Sequence, residues 1–88
     1  MADLPQQLLE FFVVDGDQTK IINLIQQNPK YNFNYYWALG FAHSHQQKET
    51  AKWLVNNCQI NCEILSNVTQ DWLRKNNIYP TQQIIVSD

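Results

Sequence analysis

Apolar residues recur along the chain at the three- and four-residue spacing of helices, in short stretches separated by polar turns. These stretches lie at residues 8–13, 21–25, 35–42, 51–55 and 64–73. They predict five helices, of which the second covers residues 18–27 and the fifth lies near residues 61–76. The sequence therefore predicts a single all-α domain over residues 1–79. A short β-prone stretch (IIV) after the last proline favours an extended tail over residues 80–88.

Shifting the chain by 30 residues aligns like residues with like, which indicates an internal repeat. The aligned apolar pairs are Leu9 with Leu39, Phe11 with Phe41, Ile21 with Ala51, Leu24 with Leu54, and Ile25 with Val55. The loops correspond as well, because each unit ends in an apolar residue followed by asparagine (Phe33-Asn34 and Ile60-Asn61). Two antiparallel helical hairpins are predicted, stacked on each other because one such unit cannot bury its apolar face alone.

The order of these segments resembles the ankyrin repeat family. Residues 16–25 (GDQTKIINLI) resemble the second helix of an ankyrin repeat, and residues 49–57 (ETAKWLVNN) resemble it again one unit later. Residues 28–34 (NPKYNFN) are similar to the long loop of that family, and residues 39–42 (LGFA) to its inner helix. The resemblance covers about 60% of the chain, over residues 8–61, although the family's TPLH opening is absent. It implies two stacked ankyrin-like hairpins, closed by the C-terminal helix, that bind partner proteins through loop tips and inner helices.

Composition narrows the class of protein. Asn and Gln supply 21 of the 88 residues, whereas Lys and Arg supply six and the net charge is −2. So few basic residues argue against a nucleic-acid partner, and no apolar run reaches the length of a membrane span. Two cysteines without a secretory signal favour reduced thiols and a cytoplasmic location. Eleven aromatic residues favour a packed core, in which we expect Trp53 and Trp72.

The sharpest local anomaly is a cluster of six aromatic residues within eleven positions: Tyr31, Phe33, Tyr35, Tyr36, Trp37 and Phe41. A loop and helix cannot turn all six inward, and Tyr and Trp often anchor interfaces because they combine a large rigid area with a polar tip. We predict a partner-binding surface made of this segment and two nearby histidines: Tyr31, Asn32, Tyr35, Tyr36, Trp37, His43 and His45. The alternative is that Phe33, Trp37 and Phe41 are core residues which the tyrosines cover.

A second reading of the histidines involves metal. His43, His45, Cys58 and Cys62 are suitable ligand types for a tetrahedral zinc site. However, the spacing between the cysteines is loose, and a histidine near a helix C-terminus is favourable without metal. The default expectation is therefore inert thiols with no metal and no cofactor.

Catalytic motifs are not recognisable in the sequence. It contains no Gly-rich phosphate loop, no Gly-x-Ser-x-Gly and no His-Glu-x-x-His. Ser44 lies between two histidines, but no third group is placed to orient a triad. The sequence predicts a small non-enzymatic adaptor or inhibitor that binds a protein partner of unknown identity. The alternatives are a small zinc-stabilised domain and a self-assembling homo-oligomer.

Overall fold

The computed structural model describes residues 4–79 of the chain. Its α-helices are α1 (Leu4–Asp15), α2 (Gln18–Gln27), α3 (Tyr35–Ser44), α4 (Lys48–Asn57) and α5 (Asn67–Lys75), and a 3-10 turn occupies Cys62–Ile64. Residues 4–79 contain no strand, so the prediction of an all-helical domain with five helices is confirmed. The longest of these helices has 12 residues, and none of them combines the length and hydrophobicity needed to cross a bilayer. The predicted extended tail, residues 80–88, lies outside the described residues.

Three of the helices begin at a residue whose side chain caps the helix. Asp17, Asn34 and Ser66 each accept a hydrogen bond from the backbone N–H three residues later, over 3.2, 3.1 and 3.3 Å respectively. Each bond satisfies one of the N–H groups that have no partner in the first turn, which stabilises a helix by about 1 kcal/mol. Local sequence therefore fixes the starts of α2, α3 and α5.

Asparagine closes three of the helices in one shared way. The side-chain amides of Asn28, Asn57 and Asn76 each donate a hydrogen bond to the carbonyl oxygen four residues earlier, over 2.8, 3.0 and 2.7 Å. Carbonyl groups towards the end of a helix run short of backbone donors, so these amides add donors there. The Trp72 carbonyl accepts from the backbone N–H of Asn76 as well. Part of the high asparagine content is thus explained by helix termination.

The turns that follow α1, α3 and α5 are built alike. Gly16, Gln46 and Asn77 occupy the left-handed region, with φ of 70°, 56° and 58°. The next residue in each turn donates its N–H to the carbonyl oxygen five residues earlier, over 3.0, 2.8 and 2.9 Å. This is a helix C-terminal turn that favours glycine and tolerates asparagine. Amides therefore occupy two positions where the geometry favours glycine.

The helices pack around one core. α1 contacts α2 and α3, and α3 in turn contacts α4 and α5. The largest fully buried apolar side chains come from the first four helices: Leu9, Val13, Ile21, Leu39, Leu54 and Val55. Trp53 and Trp72, which we expected in the core, are only half-buried and pack at its edge. The Trp72 indole N–H reaches outward to the Gln46 side-chain oxygen at 3.1 Å, which keeps the ring near the surface.

The fifth helix is shorter than the sequence predicts. The expected helix near residues 61–76 is divided, because the chain forms a 3-10 turn at Cys62–Ile64 and the helix starts only at Asn67. Ser66 causes this late start, since its hydroxyl caps the helix and its backbone is extended. Ile64 and Val68, which belong to the apolar stretch at residues 64–73, are exposed.

Candidate functional site

A groove of about 840 Å³ lies beside the aromatic segment, bounded by α2, the loop after it, the start of α3 and the end of α4. Its apolar and aromatic lining consists of Ile22, Ile25, Phe33, Tyr35, Tyr36, Trp53 and the thiol of Cys58. Its amide lining consists of Gln26, Asn32, Asn34, Asn57 and Gln59. Three residues of the predicted partner-binding surface therefore meet here, namely Asn32, Tyr35 and Tyr36.

A row of aromatic rings orders the loop that leads into the groove. Phe33 is buried and anchors the row. The centroid of the Tyr31 ring lies 4.6 Å from that of the Phe33 ring, and the centroid of the Tyr35 ring lies 6.0 Å from it. Both pairs are tilted, an arrangement that aromatic rings favour over a direct sandwich. The alternative reading of this segment thus holds for Phe33, which is core, while Tyr31 and Tyr35 are half-buried beside it.

Gln6 of α1 holds the end of the loop in place. Its side-chain oxygen accepts from the Asn34 N–H at 2.8 Å, and its amide nitrogen donates to the Asn34 carbonyl at 3.3 Å. Because Asn34 also caps α3, this paired contact fixes where α3 begins relative to α1. Sequence reasoning did not identify Gln6, since a glutamine with a partner 28 residues away has no local signal.

Tyr36 connects the start of α3 to the chain that follows α4. Its hydroxyl oxygen accepts a hydrogen bond from the backbone N–H of Asn61 at 2.8 Å. The Asn61 side chain in turn accepts from the N–H of Glu63 and so caps the 3-10 turn. Tyr36 is therefore half-buried and structurally engaged as well as being part of the groove wall.

Two ionisable groups in the lining of the groove are perturbed by burial. Burial raises the pKa of the Cys58 thiol to about 11. Burial also raises the pKa of Tyr35, and the neighbouring Cys58 adds a smaller upward shift through charge repulsion. Both groups therefore stay protonated and uncharged at neutral pH.

The amides at the rim differ in how much of their hydrogen-bonding capacity is already used. Asn34 caps α3, and Asn57 donates to the Trp53 carbonyl. By contrast, the side chains of Gln26, Asn32 and Gln59 are exposed and make no hydrogen bond within residues 4–79. These three amides retain free donors and acceptors at the mouth of the groove.

The other predicted surface residues lie elsewhere. Trp37 is 62% exposed and does not line the groove, so it is not a core residue. The side chain of His43, on α3, packs against α5, where its Nδ1 is 3.1 Å from the Thr69 hydroxyl and its ring stacks on Trp72 with centroids 4.7 Å apart. His45 follows α3 and is exposed. The predicted surface is thus divided between the groove, an exposed helix face and a helix–helix contact.

The ligand types considered for zinc do not come together. Within residues 4–79, no three His, Cys, Asp or Glu side chains form a group that can hold a metal ion. Both Cys58 and Cys62 are free thiols, and His43 is directed towards Thr69. The alternative set of His43, His45, Cys58 and Cys62 is therefore not assembled as a site.

Comparison with known proteins adds no relative: no family model, no curated protein and no solved structure matches the chain.

Proposed function

We propose that this protein is a small non-enzymatic interaction module, an adaptor or an inhibitor, which binds a protein partner through the groove beside α3. The observation that carries the proposal is the groove itself, whose wall contains Tyr35, Tyr36 and Trp53. Aromatic side chains are enriched in protein interfaces, and charged residues are depleted at the centres of those interfaces. The same groove offers no cluster of acidic and basic side chains among its lining residues, which favours binding over catalysis.

We also propose that the helices form stacked ankyrin-like hairpins, with α1 and α3 as inner helices and α2 and α4 as outer ones. The packing of α1 on α2, of α3 on α4 and of α1 on α3 supports this arrangement. The matching turns at Gly16 and Gln46, which lie 30 residues apart, support it independently. In this arrangement the groove lies between consecutive outer helices, and the loop before α3 contributes to its lining.

The test is affinity capture with three forms of the immobilised chain: wild type, Gln26→Arg and Gln7→Arg. Gln26 is an exposed helical residue at the groove, and Gln7 is an exposed helical residue away from it. We expect wild type and Gln7→Arg to retain the same partner from a lysate of the native cell, identified by mass spectrometry, while Gln26→Arg loses it. Equal capture by all three forms contradicts the groove as the binding surface.

A further inference from the structure

We infer that the groove between α2 and α4 binds a short, extended and uncharged peptide segment of its partner, held by apolar side chains and by amide contacts to its backbone. This inference rests on the proposed interaction function and specifies the chemistry of the bound segment. Three features of the groove carry it: the charge of its lining, the free amides at its mouth and the nature of its floor.

The first feature is the charge of the lining. Of the twelve described residues that line the groove, none has a side chain of Asp, Glu, Lys or Arg, although the chain contains 14 such residues. Ion pairs form elsewhere, between Lys20 and Asp17 and between Lys75 and Asp71. A charged ligand group in this groove loses water without gaining a countercharge, which is strongly unfavourable. The lining therefore selects an uncharged segment.

The second feature is the set of free amides. Gln26, Asn32 and Gln59 each present two N–H donors and a carbonyl acceptor, and none of these groups is used within residues 4–79. A peptide group also has one donor and one acceptor, so side-chain amides match it in both respects. A helical ligand already satisfies its own backbone, whereas an extended ligand presents unpaired N–H and C=O groups. The free amides thus favour an extended segment over a helix.

The third feature is the floor. Ile22, Ile25 and Trp53 supply apolar walls, and the Phe33 ring forms a buried base. The volume of about 840 Å³ falls within the roughly 300–1,000 Å³ of pockets that enclose compact ligands. This space accommodates the side chains of a few residues and not a folded domain. The bound segment therefore carries apolar side chains towards the floor while its backbone faces the amides.

The experiment selects peptides from a phage-displayed library of random heptapeptides on the full chain, followed by affinity measurements with the enriched peptides as synthetic probes. Binding is compared for wild type, Asn32→Asp, Gln59→Glu and the matched control Gln7→Glu. Each change replaces an amide by a carboxylate of nearly the same shape on an exposed side chain, so the fold is retained. Only the changes at the groove remove donors next to the ligand and add charge there.

We expect the enriched peptides to lack charged residues and to share apolar ones. Asn32→Asp and Gln59→Glu are expected to weaken binding about tenfold each, because each leaves peptide groups unpaired, while Gln7→Glu leaves affinity unchanged. Affinity should change by less than about twofold between 0.05 and 0.5 M salt, since no ion pair is screened.

Enriched peptides that depend on an Asp, Glu, Lys or Arg, or that lose affinity steeply with salt, overturn the inference. So do equal affinities of Asn32→Asp and Gln7→Glu, a library that yields no groove-dependent binder, or a dimer of the chain that Gln26→Arg dissociates in light scattering. All of these results except the dimer leave the proposed function standing if Gln26→Arg still abolishes capture of the partner. Loss of the Gln26→Arg effect removes the proposed function itself.

Discussion

The hydroxyl of Tyr36 accepts a 2.8 Å hydrogen bond from the backbone N–H of Asn61, so a side chain in the groove wall also fixes the chain that follows α4. The two residues are 25 positions apart, and helix α4 lies between them in the sequence. Tyr36 therefore contributes both to the groove wall and to the fold. An alanine substitution at Tyr36 removes both the ring that lines the groove and this connection, so it does not test the proposed binding alone.

Tyr36→Phe separates the two roles. The ring remains, but the Asn61 N–H loses its partner, and we expect the free energy of unfolding to fall by about 0.5–1.5 kcal/mol. Urea denaturation followed by circular dichroism measures this change. Tyr79→Phe is the control, because the Tyr79 side chain is exposed and makes no hydrogen bond within residues 4–79. Equal effects of the two substitutions contradict a structural role for the Tyr36 hydroxyl.

Phe33 and Trp37 should respond in opposite ways to truncation. Phe33 is 5% exposed and contacts two tyrosine rings, so Phe33→Ala should lower the free energy of unfolding by about 3–5 kcal/mol. Trp37 is 62% exposed, and Trp37→Ala should lower the free energy of unfolding by less than about 1 kcal/mol. If Phe33→Ala fails to fold, Phe33→Leu, with an expected cost of about 1.5 kcal/mol or less, provides the measurement. A larger loss for Trp37→Ala than for Phe33→Leu contradicts this assignment.

These contrasts show what local sequence determines. The limits of α2 are predicted correctly, at residues 18–27, because a capping Asp17 and an Asn28-Pro29 stop are both local signals. Part of the aromatic segment, namely Phe33, Tyr35 and Tyr36, lines the groove. The exposure of Trp37 is not predictable from the segment, since it depends on which face of α3 the rest of the chain covers.

Contacts between distant parts of the chain are the ones that sequence reasoning missed. The Gln6 contact to Asn34 spans 28 residues, and the His43 contact to Thr69 spans 26. Neither has a pattern in the sequence, because each depends on how helices pack after they form. The separation of His43 from the tyrosines of the predicted surface has this origin.

The Gln6 contact predicts a local change in dynamics. Gln6→Ala removes both hydrogen bonds to the Asn34 backbone, so the loop before α3 should open more often. Hydrogen exchange should then be faster by about five- to tenfold at the Asn34 amide, which corresponds to about 1 kcal/mol. Exchange measured by NMR tests this, with Gln7→Ala as the control because Gln7 is exposed and makes no hydrogen bond within residues 4–79. Unchanged Asn34 exchange in Gln6→Ala contradicts the role of the contact.

Cys58 predicts a pH dependence of stability. Its pKa rises from 9.0 to about 11 in the folded protein, because burial penalises the thiolate. The unfolded chain loses this proton first as the pH rises, so the stabilisation is complete below pH 9 and is lost towards pH 11. The free energy of unfolding should therefore fall more steeply over this interval in wild type than in Cys58→Ala. Parallel pH profiles from urea titrations contradict the assignment.

The three matching turns predict that substitutions at Gly16 and Asn77 change the stability of the protein in opposite directions. Gly16 has φ of 70°, and a Cβ there would lie 2.6 Å from the side-chain oxygen of Gln47. The amide of that Gln47 donates to the Val14 carbonyl, so the side chain is not free to move away. Gly16→Ala should therefore destabilise the protein by about 1–2 kcal/mol, through both left-handed strain and this close contact.

Asn77→Gly should instead stabilise the protein by a few tenths to about 1 kcal/mol, because Asn77 has φ of 58° and its side chain makes no hydrogen bond within residues 4–79. Gln46→Gly should raise the free energy of unfolding by less than Asn77→Gly does. Gln46 shares the turn geometry, but its side chain also accepts a hydrogen bond from the Trp72 indole N–H, which glycine would lose. Thermal and urea unfolding of the three variants measure their stability, which should decrease in the order Asn77→Gly, Gln46→Gly, Gly16→Ala. A gain at Gln46 that exceeds the gain at Asn77 contradicts the structural role of the Trp72 contact, because relief of backbone strain alone would then explain the result.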